Sequence, residues 1–153
     1  MAGPRKRGSD CDAALKVMTQ RHMHLLRVFT SDGDDVPIGV VGLSDIDRSF
    51  KTATAWVVLG NKRYGGQTTK AVSKLLTLGF AEVGLEAVNV WTVEVNTPGR
   101  RLIARLNFRY VGRLRRCHYI DGRPYDRLLF DLLASEYREI EHAGTRAVAG
   151  VNR

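Results

Sequence analysis

The stretch NKRYGGQTTKAVSKLL (Asn61–Leu76) begins with basic residues, passes through two adjacent glycines and two threonines, and continues into a helical pattern of apolar residues. Glycines let a backbone turn with its N–H groups on one side and let a ligand approach closely. The first turn of a helix adds N–H groups without partners and the positive end of the helix dipole. The stretch therefore predicts an anion site, of the kind that often binds phosphate.

The residues around the turn limit which kind of phosphate site this is. Lys62, Arg63 and Lys70 add positive charge, while Thr68 and Thr69 are able to cap the helix or to donate to a phosphate. The nucleotide-triphosphate loop is excluded because Gly-Lys-Ser/Thr is absent at the required spacing, and Gly-x-Gly-x-x-Gly is absent too. The residues alone leave two alternatives open, a phosphate site and an ordinary connection between a strand and a helix.

Length and composition favour a single soluble domain. The chain has 153 residues, of which 44% are hydrophobic, enough for one core. No apolar run approaches the roughly 20 residues that span a bilayer, and the start MAGPRKRGSD lacks an apolar signal segment. We therefore expect a cytoplasmic protein that does not contact membranes. We expect a flexible basic tail over residues 1–10, one domain over 11–142 and a loose tail over 143–153.

The formal net charge of +8 suggests an anionic partner, namely nucleic acid, an acidic protein surface or a polyphosphate ligand, and a solvated basic surface is the alternative. Nucleic acid is the least favoured of these, because no helix-turn-helix, zinc or aromatic-platform signature supports it. Cys11 and Cys117 match no metal-ligand spacing and are predicted to be free thiols. His22 and His24 flank one methionine, and alternation along a strand explains that spacing equally well, so we expect no metal.

The pattern along the chain predicts a mixed α/β (α+β) domain. Alternation and turn signals predict three antiparallel strands, a helix, a strand, a short helix and a final hairpin. That order predicts one twisted, mostly antiparallel sheet flanked by helices. The predicted strands are Leu25–Thr30, Val36–Ile46, Thr52–Gly60, Ala87–Val95, Phe108–Ile120 and Tyr125–Ala134, and the predicted helices are Asp12–Met23, Thr69–Val83, one within Asn96–Asn107, and Ser135–Ala143.

Three blocks of sequence, RYGGQTTKAVSKLL, NTPGRRLIARLNF and GRLRRCHYIDGRPYDRLLFDLL, occur in the order and spacing of the GNAT acyltransferase superfamily. The chain resembles that superfamily over residues 36–137, and within it the branch of ribosomal-protein N-terminal acetyltransferases (RimJ/RimL-like). The family carries Arg/Gln-x-x-Gly-x-Gly/Ala at the start of its central helix. Here the motif falls on Arg63, Gly66 and Thr68, and Thr68 departs from the small residue of the family while still offering its N–H group.

The resemblance implies a GNAT-like fold and acetyl-CoA, or another acyl-CoA, as co-substrate, with its pyrophosphate on the loop. It implies two strands that separate, with the pantetheine arm paired to the first of them. Asn96 matches an asparagine that the family has after the second. The acyl-CoA residues implied are Val57, Val58, Leu59, Arg63, Tyr64, Gly65, Gly66, Gln67, Thr68, Thr69, Asn96, Arg101 and Arg105. For Arg101 and Arg105, a solvated helix face is the alternative interpretation.

The resemblance also implies that a primary amine, on a small molecule or a protein N-terminus, attacks the thioester directly. A base or a water chain must take a proton from the amine, and a backbone N–H near Val57 or Val58 would stabilise the oxyanion. The tyrosine that many members use to protonate the thiolate is replaced by Ile103. A serine of this branch is replaced by Gly99, and a glutamate before the loop by Thr54. No standard acid is therefore visible.

Glu94 and Asn96 are the predicted catalytic residues. Because residues two apart in a strand point the same way, Glu94 is expected to share a strand face with Asn96 and to act as the base. A structural role for Glu94 is the alternative, and His118 and Asp126 are further candidates on the acceptor side. The alternative function is a catalytically inactive scaffold of GNAT-like fold that binds acyl-CoA.

The beginning of the chain differs from the pattern that the resemblance implies. The family has a strand and one or two helices before its first hairpin, whereas only about twenty residues precede Leu25. We therefore expect a shortened N-terminal strand and helical region and an exposed sheet edge. A second copy of the chain, in a homodimer, or another partner chain would cover that edge.

Overall fold

One sheet of six strands organises the protein, whose computed structural model describes residues 23–31, 33, 35–60, 63 and 65–140. Two helices complete the described part. The strands are β1 (Leu25–Thr30), β2 (Pro37–Asp47), β3 (Thr52–Leu59), β4 (Ala87–Val93), β5 (Arg109–Ile120) and β6 (Arg123–Leu133); the helices are α1 (Gly65–Leu78), which continues into a π-helical turn (Gly79–Val83), and α2 (Thr97–Arg105).

The strands lie in the order β1-β2-β3-β4-β6-β5. Every neighbouring pair is antiparallel except β3 and β4, which are parallel because α1 carries the chain back between them. The predicted order of elements and the mixed, mostly antiparallel sheet are confirmed.

The core lies between one face of the sheet and the two helices. Successive residues of a strand point to opposite faces, so alternate apolar residues of β2, β3, β4 and β6 face the helices. α1 meets them with apolar residues spaced three and four apart, and each large side chain buried in this way stabilises the fold by about 1.5–3 kcal/mol. The cluster includes Val41, Leu43, Ala53, Ala55, Val72, Leu75, Leu76, Val88, Ile103, Leu106 and Leu132.

The end of the first helix is the one that the sequence predicts. Gly84 has a φ of 79°, the left-handed conformation that glycine adopts at little cost, and its N–H donates to the Gly79 carbonyl. The chain then enters β4 at Ala87.

The helix predicted over Ser135–Ala143 is wrong for residues 135–140, which form a turn followed by irregular chain. A side-chain anchor explains this conformation, since the Tyr137 hydroxyl donates to the Ser73 carbonyl at 2.8 Å and lies 2.8 Å from the Thr77 hydroxyl oxygen. The tertiary contacts with α1 outweigh the local helical preference. Of the helix predicted over Asp12–Met23, all but Met23 lies outside the described residues.

β1 and β5 form the two edges of the sheet among the described residues. Residues 1–22 and 141–153 are not described, so the covered edge and the division into tails and domain stay predictions. No helix in the described ranges is long and apolar enough to cross a membrane.

Candidate active site

The parallel strands β3 and β4 are paired at one end and separated at the other. Pairing joins Thr52 to Ala87, Ala53 to Val88 and Thr54 to Asn89, and it extends no further in the described strands. Beyond this point the strands enclose a cavity of about 260 Å³. Its lining comes from both strands and from α2, and includes Trp56, Val57, Val90, Trp91, Thr92, Val93, Asn96, Gly99, Leu102 and Ile103.

A groove of about 340 Å³ continues from this cavity to the beginning of α1. The two share Val57, Asn96, Gly99 and Leu102 in their linings, so they form one continuous cleft. The remaining lining of the groove comes from the end of β3, the first turns of α1 and the exposed side of α2, and consists of Leu59, Gly65, Thr68, Thr69, Pro98, Arg101 and Arg105.

The beginning of α1 supplies donors to this groove. The helix begins at Gly65, so the N–H groups of its first turn, from Gly65 to Thr68, have no partner within the helix. The Thr68 hydroxyl oxygen is buried and has no hydrogen-bond partner among the described residues. An added Cβ at Gly65 or Gly66 would meet nothing within 4 Å, so there is open space beside the turn. These features fit an anion with several acceptor oxygens.

Two arginines of α2 stand on the opposite wall of the groove. Arg101 and Arg105 line it together with Gly65 and Thr68, although both remain exposed to solvent. Arg100, on the same helix, lines a different groove, between α2 and the hairpin of β5 and β6. The structure therefore favours the groove over a uniformly solvated helix face for Arg101 and Arg105.

A family model, described as an acetyltransferase (GNAT) domain, matches residues 5–109. The chain belongs to the GNAT acetyltransferase family. The match begins before the blocks on which the resemblance rests and ends at Arg109, the first residue of the final hairpin. The match does not identify a branch of the family, so the ribosomal-protein branch stays a prediction.

Curated relatives and solved structures agree with this assignment. The chain is 32% identical over 111 residues to the uncharacterized N-acetyltransferase p20 of Bacillus licheniformis, covering 72% of this chain and 62% of that protein. The uncharacterized N-acetyltransferase YoaA of Bacillus subtilis is 24% identical over 97 residues, covering 63% and 55%. This chain therefore spans less than two thirds of the length of these relatives.

The fold is similar to that of spermidine N-acetyltransferase from Vibrio cholerae in complex with CoA and spermine. The TM-score is 0.75 at 18% sequence identity, over 84% of this chain and 76% of that one. A second similar structure is a probable acetyltransferase, with a TM-score of 0.70 at 22% identity, over 86% and 72% of the two chains. At these identities the likeness shows the fold alone.

GNAT enzymes use acetyl-CoA, and the residues of the groove fit its phosphate end. The fit rests on the N–H groups in the first turn of α1, on the buried Thr68 hydroxyl that lacks a partner among the described residues, and on the positive charges of Arg101 and Arg105. The cavity beyond, between β3 and β4, is mostly apolar and suits the thioester end.

The expected role of Thr68 and Thr69 as helix caps is wrong. Because α1 begins at Gly65, both threonines lie inside the helix and are buried, at 7% and 8% exposure. The cap position falls on Tyr64, which lies outside the described residues. Because the helix starts with two glycines, the helical pattern of apolar residues begins later in the sequence than the helix does.

Other predicted acyl-CoA residues are not brought to the groove. Val58 is 59% exposed on the opposite face of the sheet from Val57. Gln67 lines a separate groove between α1 and β1. Arg63 and Gly66 are exposed and line neither part of the cleft. The groove thus contains a subset of the predicted residues.

Asn96 and Thr92 together explain the glycine at position 99. The Asn96 side-chain oxygen accepts a hydrogen bond from the Gly99 N–H at 3.1 Å and caps α2. A Cβ at Gly99 would lie 2.7 Å from Asn96 Nδ2 and 2.8 Å from the Thr92 hydroxyl oxygen. Thr92 is buried and lines the cavity. Thr92 is not among the predicted site residues, although a polar residue on the inward face of a strand is a signal for such a site.

Glu94 does not share a strand face with Asn96, because β4 ends at Val93 and Glu94 lies in a turn. Its carboxylate oxygen Oε1 accepts from the Asp126 N–H at 2.8 Å, and its own N–H donates to the Asp126 carbonyl. Glu94 does not line the cavity. These bonds tie the end of β4 to β6, which supports the structural alternative; the catalytic role stays a prediction.

Asp126 is held ionised in the final hairpin. The backbone N–H of Arg116 donates to its carboxylate at 2.8 Å, and Arg113 binds it at 3.1 Å. The Arg116 N–H, followed by the Arg113 guanidinium, lowers the pKa of the Asp126 carboxyl below its ordinary value, against the opposing effect of desolvation. A carboxylate with a lowered pKa is a poor base. The hydrogen bond from the Arg116 N–H gives Asp126 a structural role instead, in the irregular part of β5 between Leu114 and His118.

Proposed function

We propose that the chain transfers an acetyl or other acyl group from acyl-CoA to a primary amine, on a small molecule or a protein N-terminus. The observation that carries this proposal is the continuous cleft, which joins the first turn of α1 to the gap between β3 and β4. Membership of the GNAT family supports the donor. Neither the relatives nor the fold specifies the acceptor.

The donor would lie along the whole cleft. The first turn of α1, the Thr68 hydroxyl, Arg101 and Arg105 would bind its phosphates. From Ala55 onward β3 has no partner on the β4 side, so the backbone groups of Val57 and Leu59 are available to the amide groups of the pantetheine arm. The thioester would reach the cavity near Thr92.

The reaction is direct attack of the amine nitrogen on the thioester carbonyl carbon. Negative charge develops on the carbonyl oxygen, and a backbone N–H of β3 near Val57 would stabilise it. The carbon–sulfur bond then breaks, the thiolate takes a proton, and the amide nitrogen loses one. Glu94 is the proposed base, acting through water because Oε1 is bonded to the Asp126 N–H. Asn96 would position α2, with Nδ2 free to donate.

A second candidate function, an inactive scaffold that binds acyl-CoA, is favoured by one observation. Ile103 lines the cavity at the position from which many relatives protonate the thiolate, and an aliphatic side chain cannot donate a proton. Binding of the donor without turnover is the outcome that this alternative requires.

Two measurements on the full chain test the proposal. Calorimetry with acetyl-CoA is expected to show one site, and release of free CoA thiol is expected with at least one amine from a panel of alkylamines, amino acids and short peptides. Binding without thiol release across the panel would establish the scaffold instead. No binding of acetyl-CoA would refute both functions.

A further inference from the structure

The cavity between β3 and β4 reaches both faces of the sheet. Because neighbouring residues of a strand point to opposite faces, each strand contributes residues of both faces to the lining of the cavity. Val57 and Thr92 face the helices, whereas Trp56, Trp91 and Val93 face the other side, and all five line the cavity. Residues from both faces thus line the cavity, those on the side of α1 and α2 and those on the face that no described helix covers, and these two sides are called its mouths below.

The two mouths have different roles in an acyl transfer. The helix-side mouth continues into the groove of Gly65, Thr68 and Arg101, where the donor phosphates would bind. A donor in that position fills the approach from the helices. The acceptor amine must then enter from the opposite mouth, which is rimmed by Trp56 and Trp91.

Arg127 lies beside this acceptor mouth. It is the β6 partner of Val93, the last residue of β4. Its guanidinium carbon lies 4.0 Å from the centre of the Trp91 ring, and its Nε donates to His118 Nε2 at 3.0 Å. Since an arginine only donates, His118 accepts this bond through Nε2. The guanidinium of Arg127 supplies the positive charge of the cluster.

No carboxylate of the described residues neutralises that charge. The ion pairs found in the described ranges join Arg109 to Glu136 and Arg113 to Asp126. The Nη groups of Arg127 remain able to donate, and an arginine held by an aromatic ring and a histidine loses little freedom when it binds a planar anion.

We infer that the acceptor is an amine that also carries an anionic group, a carboxylate or a phosphate, and that Arg127 binds this group at the acceptor mouth. The inference rests on the proposed function. A guanidinium binds such anions with paired, charge-assisted hydrogen bonds. The same charge repels a polyamine, whose remaining amino groups are cationic.

Matched pairs of amines test the inference in the unmodified protein. Phenylalanine and 2-phenylethylamine differ by a carboxylate, and O-phosphoethanolamine and ethanolamine differ by a phosphate; spermidine is the cationic member. With release of CoA thiol as readout, we expect kcat/KM to be about tenfold or more higher for the anionic member of at least one pair. Which pair shows the preference distinguishes carboxylate from phosphate.

The variant Arg127→Gln is expected to remove this preference by raising KM for the anionic amine, with Kd for acetyl-CoA unchanged. Arg109→Gln is the matched control, because it removes the same charge from the neighbouring strand, away from the mouth, and should retain the preference. Arg127→Lys keeps the charge without the paired donors and should retain part of it. If Arg127→Gln fails to fold, the amine pairs in the unmodified protein still decide.

Two outcomes overturn the inference in distinguishable ways. Thiol release with equal or better kcat/KM for the neutral amines or spermidine refutes the anionic acceptor and leaves the acyltransferase proposal intact. No thiol release with any amine refutes the proposed function and this inference together.

Discussion

The two mouths of the cleft are built in different ways. The donor mouth is lined by residues of three short stretches, the end of β3, the first turns of α1 and the exposed side of α2. The acceptor mouth consists of side chains from four strands, namely Trp56 of β3, Trp91 of β4, His118 of β5 and Arg127 of β6. A helix end binds phosphate through groups that every residue possesses, whereas recognition of an acceptor depends on particular side chains.

This difference explains why the sequence pattern indicates the proposed donor site, whereas it does not indicate the proposed acceptor site. The donor groove needs small residues and a helix start, which leave a recognisable pattern. The acceptor mouth needs a positive charge held by Trp91 and His118, and no short motif encodes that arrangement. Variants on each side of the cleft should therefore have separable effects.

The largest effect is expected for Gly65→Glu, on the donor side. Its carboxylate would lie in the open space beside the helix start and repel the phosphates, while a negative charge at a helix N-terminus does not destabilise the helix. Calorimetry should show Kd for acetyl-CoA raised by about a hundredfold or more, as expected from the loss of about 3 kcal/mol of charge-assisted hydrogen bonds. Gly65→Ala is the control and should bind normally. Unchanged affinity in Gly65→Glu would place the phosphates elsewhere.

A smaller effect is expected for Gly99→Ser, which would change both the cavity and the groove, because Gly99 lies where these two parts of the cleft meet. Its Cβ would lie 2.7 Å from Asn96 Nδ2 and 2.8 Å from the Thr92 hydroxyl, so the cap of α2 must shift. Thermal or urea unfolding should show a loss of about 1–3 kcal/mol, with reduced thiol release. Ala104→Ser, an exposed change on the same helix, should have little effect. A variant as stable and active as the parent would mean that the cap adapts without cost.

The smallest effect is expected for Arg101→Gln and Arg105→Gln, because both side chains are exposed. Each should raise Kd for acetyl-CoA by about two- to fivefold, the range of exposed charge pairs, and should weaken the dependence of binding on salt. Arg100→Gln removes the same charge from the same helix outside the groove and serves as the control. Equal effects in all three variants would indicate a general effect of net charge rather than contact in the groove.

The strands were predicted well because their alternation and turns are local. β1 has the predicted bounds, and the other five strands differ from prediction by one or two residues at one or both ends. Errors arose where long-range contacts decide: Tyr137 binds α1 instead of continuing a helix, and Glu94 turns away to bind the Asp126 backbone. The start of α1 was predicted at Thr69 rather than at Gly65, because glycines have low helix propensity.

The sequence by itself determined the order of elements, because hydrophobic periodicity, glycine turns and a helix start are properties of consecutive residues. Its three motif blocks indicated the family, and through the family the proposed acyl-CoA donor. Only the tertiary structure decided which residues share the cleft. The position of α2 beside β4 brings Arg101 and Arg105 to the groove and fills the space at Gly99 with Thr92 and Asn96. The pairing of β4 with β6 sets Arg127 beside Trp91. Such contacts join residues distant in the chain, so their chemistry arises from packing rather than from any local pattern.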